Sequence, residues 1–367
     1  MNKKLLTIAV ASVLAGMGGV AHADVAVYGK FHVSWDYDKT SANIAATSAN
    51  PDKQSYISDN SSRFGFKYTE DLGGGVKALG QWEIAARTDT ATALTSNRNS
   101  YAGLSSDAVG KVMLGKYDSP FKDASRMVDL FNERIGDTRN VLGANVTTAT
   151  GGTPAAATGF DRRVSNMVRY DSPTWAGVNF ALLYSGGETV TNTSVGSAGV
   201  GWSGARAKVG LAYESHGTGV QGAGLSSTET GLRLAGSFTI GSFTLAALYE
   251  QLKDIGGNTA LGRNSYGLGG QFKMGNNVIK GQYYKADSID TLTDTGASIM
   301  ALGYDYNMSK NTTVYVAYAK AKNDANVRGF NVASANGGHG DVLSASNNAL
   351  NNGTSPSALS TGIEIKF

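Results

Sequence analysis

The sequence has 367 residues, of which 17% are charged and 41% hydrophobic, with 48 glycines but only five prolines. A soluble domain typically has about 25% charged residues, and the glycine and aromatic content is typical of strands joined by turns rather than of helices. A formal net charge of +3 gives no reason to expect nucleic acid as a partner. The absence of cysteine excludes disulfides and thiolate metal sites.

Residues 1–23 predict a cleaved signal peptide. Lys3 and Lys4 precede an apolar stretch, 5–20, and Ala21-His22-Ala23 offers the small residues that a signal peptidase accepts. A transmembrane anchor is the alternative, but the stretch is short and rich in glycine. We therefore expect export and a mature chain of residues 24–367. Loss of Lys3 and Lys4 would lower its net charge from +3 to +1.

Alternating polar and apolar residues begin directly after this segment. From 25 to 38, one set of alternate positions is apolar and ends in Trp35 and Tyr37, while the other set carries Lys30 and His32. A period of two predicts a β-strand with one apolar and one polar face. The pattern returns at 63–69, 76–84, 180–184, 243–249 and 279–283, whereas faces are not assignable from 101 to 117.

Short and long connections alternate between the predicted strands. Seven short turns lie at 71–75, 105–110, 171–177, 203–206, 240–242, 274–277 and 307–311. Eight longer polar stretches lie near 40–60, 88–97, 118–162, 186–196, 216–228, 253–263, 287–297 and 323–357. Fifteen connections join 16 strands, and short turns on one side with long loops on the other are typical of outer-membrane barrels.

A soluble β-sandwich would also show alternation. Tyr and Trp at the ends of apolar faces favour a membrane barrel, because such rings prefer membrane–water interfaces. All five prolines lie in connections, as a closed hydrogen-bonded wall requires. We therefore predict an all-β fold, a 16-stranded antiparallel transmembrane β-barrel formed by residues 24–367.

Short motifs in a characteristic order support this fold. The stretches VAVYGK (25–30), SRFGFK (62–67), YAGL (101–104), VRYDSP (168–173) and GIEIKF (362–367) resemble the Gram-negative general porins of the betaproteobacterial type. The resemblance implies a homotrimeric channel in the outer membrane of a Gram-negative bacterium, with a third outer loop folded into the lumen. It also implies that the barrel-assembly machinery reads the terminal Phe367. Lys116, where many relatives carry Arg, and an insertion at 144–159 depart from the pattern.

Enzyme and cofactor motifs are weak in this sequence. Gly199–Gly204 fits a dinucleotide fingerprint, but a strand rather than a helix follows it. Asp287, Asp290 and Asp294 lack the spacing of a calcium loop. Neither a nucleophile elbow nor an HExxH motif is present. We expect no enzyme, cofactor or metal site, with a lipase or protease barrel as the rival. The mature chain has three histidines, His32, His216 and His339.

Charged residues of the polar faces and of the third outer connection form the candidate site. The basic wall candidates are Lys30, Arg63, Lys67, Lys77, Arg163 and Arg169. The connection 118–162, termed loop 3, supplies the acidic candidates Asp118, Asp123, Asp129, Glu133 and Asp137. Its stretch 124–135 predicts a short amphipathic helix that packs against the inner wall. A cationic wall opposite carboxylates would create a transverse field that orients polar solutes. The alternative is that these charges only solvate the lumen and the loop.

These features predict passive diffusion of ions and small hydrophilic solutes through a water-filled pore. Loop bases offset most of the loop acids, so we expect a modest anion preference, with Arg63 as the strongest single candidate. A non-conducting barrel that serves as adhesin or surface anchor is the alternative, and a substrate-specific channel is another. The expected partners are two further copies of the chain, the assembly machinery, ions and solutes, and outer-membrane lipid and lipopolysaccharide.

Overall fold

The computed structural model describes residues 23–39, 53–90, 97–143, 159–186, 194–217, 227–327, 330–333 and 353–367. The predicted signal peptide, apart from Ala23, lies outside the described residues, as do His339 and most of the insertion at 144–159. Much of the long connections near 40–60 and 323–357 also lies outside them.

Antiparallel strands form one sheet that closes on itself. They are β1 (Ala23–Lys39), β2 in two segments (Lys53–Asp59 and Arg63–Asp71), β3 (Val76–Ala85), β4 (Asn97–Ser106), β5 (Gly110–Asp118), β6 (Arg163–Asp171), β7 (Val178–Ser185), β8 (Val195–Ser203), β9 (Ala207–His216), β10 (Glu229–Ile240), β11 (Phe243–Lys253), β12 (Gly262–Met274), β13 (Asn277–Ala286), β14 (Ala297–Asn307), β15 (Thr312–Asn323) and β16 (Ser357–Lys366). With β2 counted as one strand the barrel has 16, so the predicted fold is confirmed.

Closure joins the last strand to the first. Lys30 lies opposite Lys366, and Lys39 lies opposite Ser357, so β16 pairs with β1 over ten consecutive positions. Each of the seven short turns joins two adjacent strands where the sequence predicted it. A closed sheet leaves no strand edge with unpaired backbone groups, as a segment within lipid requires.

A β-bulge divides β2 close to its middle. Val33 of β1 lies opposite Asp59, but Lys30, three residues earlier, lies opposite Arg63, so β2 carries one extra residue between these pairs. The Ser62 hydroxyl accepts a hydrogen bond from the His32 amide at 2.9 Å and thereby satisfies a backbone donor at the bulge. Bulges re-aim neighbouring side chains, and this one precedes Arg63 directly.

The two faces of the wall differ as the alternation predicts. On β1, Lys30 and Asp36 are buried, whereas Phe31 and Trp35 are 48% and 44% exposed. Large apolar side chains are exposed at many of the outward-facing strand positions around the barrel. A soluble monomer rarely exposes a continuous apolar band of this kind, whereas lipid tails stabilise it.

Helical structure is short and lies in the connections. Helix α1 spans Pro120–Arg126, and 3-10 turns span Thr138–Asn140 and Ile255–Gly257. The helix predicted over 124–135 is therefore wrong in its bounds. Side chains bind the backbone that a longer helix would use, since Asp129 accepts from the Phe131 amide at 2.9 Å. Among the described residues, no helix is long and apolar enough to span a membrane.

The largest apolar cluster lies between loop 3 and the inner face of β13 to β15. Small residues of the wall leave space for the side chains of loop 3. A Cβ at Gly303 would lie only 2.8 Å from the Phe131 ring, so a larger residue would clash there. Gly136 approaches the same wall with a left-handed φ of 83°, a conformation that favours glycine. The cluster includes Phe131, Ile135, Val141 and Leu142 of loop 3 and Ala286, Ala301, Ala317, Ala319 and Ala321 of the wall.

Candidate functional site

One carboxylate at the end of β5 contacts three cations. Asp118 lies 2.9 Å from Lys122 Nζ, 2.7 Å from Arg126 Nη1 and 3.4 Å from Arg163 Nε. Helix α1 positions the two loop cations, and Ser119 caps it by accepting from the Lys122 amide. These four groups, termed the Asp118 cluster, therefore combine one negative charge with three positive charges.

A second carboxylate, in the middle of loop 3, contacts three cations of the wall. Glu133 forms an ion pair with Lys30, lies 2.7 Å from Arg63 Nη1 and lies 3.6 Å from Arg98 Nη2. Its φ is 60°, a conformation that costs a non-glycine residue about 1–2 kcal/mol. The backbone amide of Glu133 donates to Asp137 at 2.8 Å, which holds this conformation in place.

Two carboxylates of the wall face the same cations. Glu83 lies 2.7 Å from Arg98 Nε and 3.8 Å from Arg63 Nε, and Glu364 lies 3.9 Å from Lys30 Nζ. With Glu133, these groups form what we term the Glu133 cluster, in which three carboxylates balance three cations. Buried charges are tolerated when each keeps an opposite partner, so this cluster is suited to anchoring the loop.

Arg233 on β10 joins the outgoing and returning parts of loop 3. Its guanidinium donates to the Phe121 carbonyl at 2.9 Å and to both carboxylate oxygens of Asp161 at 2.8 and 2.9 Å. It also forms an ion pair with Glu250 on β11 and is fully buried. A bidentate pair of this kind fixes geometry as well as adding energy, so the two parts of the loop are held together at the wall.

Loop 3 also contacts strands β13 and β14. Arg134 Nη1 lies 2.6 Å from Asp305, which in turn lies 2.9 Å from Lys280 Nζ. The Leu130 amide donates to the Gln282 side chain at 3.0 Å. The described part of the loop therefore contacts inner-face side chains on strands near both ends of the chain.

The cations of the wall change the ionisation of the loop carboxylate that faces them. Burial alone would raise the pKa of Glu133, but Lys30, Arg63 and Arg98 hold that pKa well below its usual range. Glu133 is therefore a carboxylate at neutral pH. Its charge is fully available to the three cations.

Two other loop groups change ionisation near pH 8. Burial lowers the pKa of Lys122 to about 8, although the Asp118 carboxylate opposes this shift. Burial, with a contribution from Asp137, raises the pKa of Asp129 to about 8. At neutral pH the ammonium form of Lys122 and the acid form of Asp129 predominate. Loop 3 becomes more negative as pH rises through this value.

The structure brings four of the six predicted wall cations into contact with predicted loop acids. Lys30 and Arg63 contact Glu133, Arg163 contacts Asp118, and Arg169 Nη2 lies 2.9 Å from Asp123. Lys67 and Lys77 are exposed nearer the short-turn end. They share the inner face with Arg63, because Lys67 lies opposite Ala26 and Lys77 lies opposite Asp71.

The remaining predicted acids have different surroundings. Asp118 is the last residue of β5 rather than a loop residue. Asp129 accepts hydrogen bonds from Gln282 and from the Thr138 amide. Asp137 pairs with Arg139 within the loop, at 2.6 Å. These two acids therefore bind the loop to itself and to a neutral side chain rather than to a cation of the wall.

Sequence reasoning missed several charged groups of the wall. Arg233, Lys280 and Asp305 each contact loop 3 or its partners. Each is a single inward charge between outward apolar residues, such as Leu232 and Leu234 on either side of Arg233. A lone charge within an apolar strand is the signal that would have found them. Arg98 lay at the edge of a predicted polar connection, which concealed its place on a strand.

The chemistry of this site is that of fixed charges. Its groups are guanidinium, ammonium and carboxylate, and these are joined in ion pairs. Within the ranges that the structure describes, no group of three or more histidine, cysteine, aspartate or glutamate side chains could hold a metal ion. Fixed charges of both signs act on any ion or dipole that passes close to them, so the arrangement is suited to selecting solutes.

A closed antiparallel barrel of 16 strands, apolar outside and charged inside, defines a channel-forming protein of the bacterial outer membrane. The chain belongs to the Gram-negative porin family, whose sequence model matches residues 9–326. Members of this family are channels rather than enzymes, and this chain functions as a passive pore. The predicted family, fold and outer-membrane location are confirmed.

Similar proteins include porins of several Gram-negative bacteria. Outer membrane porin protein 32 of Delftia acidovorans is 32% identical over 295 residues, which cover 73% of this chain and 77% of that protein. An outer membrane porin protein of Bordetella pertussis is 24% identical over 383 residues, covering 89% and 95%. Among solved structures, the anion-selective porin from Comamonas acidovorans matches with a TM-score of 0.74 at 24% identity. The match covers 94% of this chain and 100% of the Comamonas chain. At this level of identity the similarity shows the fold alone.

Proposed function

We propose that this porin passes ions and small hydrophilic solutes with a modest preference for anions, and that loop 3 lies in the lumen and narrows it. The observation that carries the preference is the charge surplus of the Asp118 cluster, in which one carboxylate faces three cations. The name of the Comamonas structure, an anion-selective porin, is consistent with this proposal.

Contacts with opposite parts of the wall support the position of loop 3. Glu133 contacts β1 and β2. The Phe121 amide, at the start of the loop, donates to Ser197 on β8, and the Phe121 carbonyl accepts from Arg233 on β10, about half of the barrel away from β1. Side chains on the inner face of a closed wall point into the barrel. A segment that reaches such side chains on both sides divides the interior and leaves a narrower passage for solutes.

Exposure decides which cations of the Asp118 cluster contact solutes directly, while the buried Lys122 adds to the net charge of the cluster. The side chains of Arg126 and Arg163 are 29% and 20% exposed, whereas that of Lys122 is 4% exposed. At physiological salt the Debye length is about 8 Å, so these two guanidinium groups act on ions in a narrow passage. One unit charge about 8 Å away in water contributes ~0.5 kcal/mol without salt and ~0.2 kcal/mol at one Debye length, or about a 1.4-fold change in local ion concentration at physiological salt.

The test is the reversal potential of single channels in a planar bilayer across a KCl gradient. We expect an anion-selective wild type and a lower chloride preference in Arg163→Gln. Arg206→Gln is the matched control, since Arg206 is exposed in the short turn between β8 and β9. A cation-selective wild type, or equal shifts in both variants, would contradict the anion proposal. Absence of conductance would favour the surface-anchor alternative.

We also propose that the protein assembles as a homotrimer and that Phe367 is its assembly signal. Gly29 exchanges two backbone hydrogen bonds with Phe367, at 2.9 and 3.1 Å, so the last residue extends the closing pair of strands. The Phe367 ring is half-exposed and lies 5.4 Å from the Phe31 ring on the outer face. In the assembled protein, lipid, lipopolysaccharide or a second subunit would cover such a surface. Before insertion, the assembly machinery would bind it.

Deleting Phe367 tests this assembly role. We expect less assembled protein in the outer membrane, because the terminal ring and its place beside Phe31 are lost. Channels that do form should conduct in groups of three steps, as we expect for the wild type. Normal assembly of the deletion variant, or insertion in single steps, would contradict the respective part of the proposal.

A further inference from the structure

A buried histidine at the outer end of β9 lies between two carboxylates. His216 Nδ1 is 2.6 Å from Glu229 Oε1, and its Nε2 is 2.8 Å from Glu214 Oε1. The side chains of His216 and Glu214 are fully buried, and that of Glu229 is 4% exposed. We term these three residues the His216 cluster. It is separate from the charged groups that we assign to solute selection.

The geometry determines how many protons the ring carries. A carboxylate oxygen only accepts hydrogen bonds, so both ring nitrogens must donate, whereas a neutral imidazole carries a single N–H. Arg162 of loop 3 also faces the cluster and interacts electrostatically with both carboxylates. Two carboxylates are therefore balanced by two cations as long as His216 is an imidazolium.

The cluster also holds the returning part of loop 3. Phe160 stacks on the His216 ring with centroids 4.5 Å apart and an angle of 19° between the planes. A Cβ at Gly231 would lie 2.9 Å from the Phe160 ring, so this glycine makes room for it. The ring is fully buried, and the Phe160 amide donates to the Gly143 carbonyl at 3.1 Å.

We propose that the His216 cluster is a pH-sensitive clamp that fixes residues 159–162 of loop 3 against β9 and β10. Loss of a ring proton leaves one nitrogen lone pair facing a carboxylate and removes the charge that balances the cluster. Water must then enter to solvate the buried carboxylates, which separates Phe160 from the ring. The porin therefore has a fixed loop 3 at neutral pH and a loosened return segment at alkaline pH.

Nitrogen NMR of histidine-labelled protein in detergent micelles tests the protonation step without any need for conductance. We expect both His216 nitrogens to keep their protons at neutral pH, where an ordinary histidine has largely lost one. A His216→Gln sample assigns the signal. A His216 signal that is neutral at this pH would overturn the proposal.

Two variants at the cluster give opposite expectations for the loop. His216→Gln removes the cation, so we expect the amide protection factor of Phe160 to fall about tenfold or more at neutral pH. Glu229→Gln suits a neutral ring, because its amide group donates to Nδ1 while its oxygen still accepts from the Gly256 amide. Here we expect protection of Phe160 to persist at alkaline pH, where the wild type loses it.

Conductance provides the functional readout of the same clamp. We expect open-channel current noise to rise with pH in the wild type, to be high at all pH values in His216→Gln and to stay low in Glu229→Gln. His32→Gln is the matched control, since His32 contacts Tyr315, Lys30 and Glu364 rather than residues 159–162, and it should retain the pH transition even where its mean noise differs from that of the wild type. Identical pH profiles for the wild type and His216→Gln would overturn the clamp, whereas absence of conductance in every sample would overturn the porin function instead.

Discussion

The Asp118 cluster and the Glu133 cluster both join loop 3 to the wall, but their charge balance differs. In the Glu133 cluster three carboxylates face three cations, and the side chains of Lys30 and Glu133 are 6% and 5% exposed. In the Asp118 cluster one carboxylate faces three cations, two of which are 20% or more exposed. The Glu133 cluster also has one partly exposed cation, Arg63 at 23%, so the two clusters differ in charge balance: the same residue types form a neutral contact in one place and a positive surface in the other.

This difference separates anchoring from selection. A balanced cluster has little field beyond its own atoms, because opposite charges a few ångströms apart cancel at a distance. An unbalanced cluster must be partly hydrated, since burial of unpaired charge is costly. We therefore expect changes in the Glu133 cluster to affect stability most and changes in the Asp118 cluster to affect ion selectivity most.

The largest effect is expected for Glu133→Ala. Removing this carboxylate leaves Lys30, Arg63 and Arg98 facing one another with one partner fewer, and breaking a buried ion pair from one side costs about 3–5 kcal/mol. The measurement is the midpoint of unfolding in detergent, which circular dichroism detects. Asp123→Ala is the matched control, because its carboxylate also pairs with an arginine of the wall but is 40% exposed.

Arg169 is buried but keeps Asp171 as a second partner at 2.7 Å, and an ion pair with an exposed carboxylate contributes about 0–1 kcal/mol, so Asp123→Ala should change the midpoint much less than Glu133→Ala. Equal losses of stability in the two variants would show that the Glu133 cluster does not stabilise the protein more than the Asp123–Arg169 pair does. The assignment of the Glu133 cluster as an anchor would then be wrong.

The second effect is a gain of anion preference in Asp118→Asn. Made in a Lys122→Arg background, the substitution raises the surplus of the Asp118 cluster from two positive charges to three while keeping a side chain of similar shape. Arginine is used because loss of the Asp118 carboxylate would lower the pKa of Lys122 further. One added unit charge about 8 Å from a passing ion changes the local concentration of each ion about 1.4-fold at physiological salt and about twofold at low salt. Reversal potentials across a KCl gradient measure the change, and Asp107→Asn in the exposed turn before β5 is the control. An unchanged or lower chloride preference in Asp118→Asn would contradict the assignment.

The third effect is a loss of anion preference as pH rises. Burial lowers the pKa of Lys122 to about 8, so this cation is lost above that value. Burial raises the pKa of Asp129 to about 8, so a negative charge is gained over the same interval. Both changes make loop 3 more negative, and the chloride preference should fall between about pH 7 and pH 9.

Reversal potentials at a series of pH values follow this titration. Lys122→Arg keeps its charge throughout and should remove the lysine part of the change, while Asp129→Asn should remove the carboxylate part. A chloride preference of the wild type that does not change with pH, or that rises, would contradict the ionisation changes assigned to Lys122 and Asp129.

Strand order and face assignment were predictable from the sequence because they depend on local pattern. Trp35 and Asp36 fall on opposite faces since the strand period is two, and Gly73–Gly75 mark a turn that a strand interior would not tolerate. The contacts of Glu133 with Lys30, 103 residues earlier, depend instead on how the strands are staggered and how loop 3 folds. No local pattern encodes them.

The end of helix α1 shows a second limit. The spacing of Met127, Leu130 and Phe131 is typical of an amphipathic helix, yet the helix ends at Arg126. Side chains of Asp129 and of Gln282 on the wall bind the Phe131 and Leu130 amides. Since one of these acceptors belongs to a distant strand, the propensity of the segment alone did not determine its structure.

The smallest effect is expected for Lys67→Gln and Lys77→Gln. Both lysines share the inner face with Arg63, but they lie four and fourteen positions from it in sequence, and Lys77 lies opposite Asp71. At about 3.3 Å per residue along a strand, Lys67 and Asp71 lie about 13 and 26 Å from Arg63. The Debye length at physiological salt is about 8 Å, so neither lysine should affect ions beside loop 3 under those conditions. Reversal potentials should match the wild type at physiological salt and shift slightly at low salt. A shift at physiological salt as large as that of Arg163→Gln would mean that charge at the short-turn end, rather than the unbalanced Asp118 cluster, sets the selectivity.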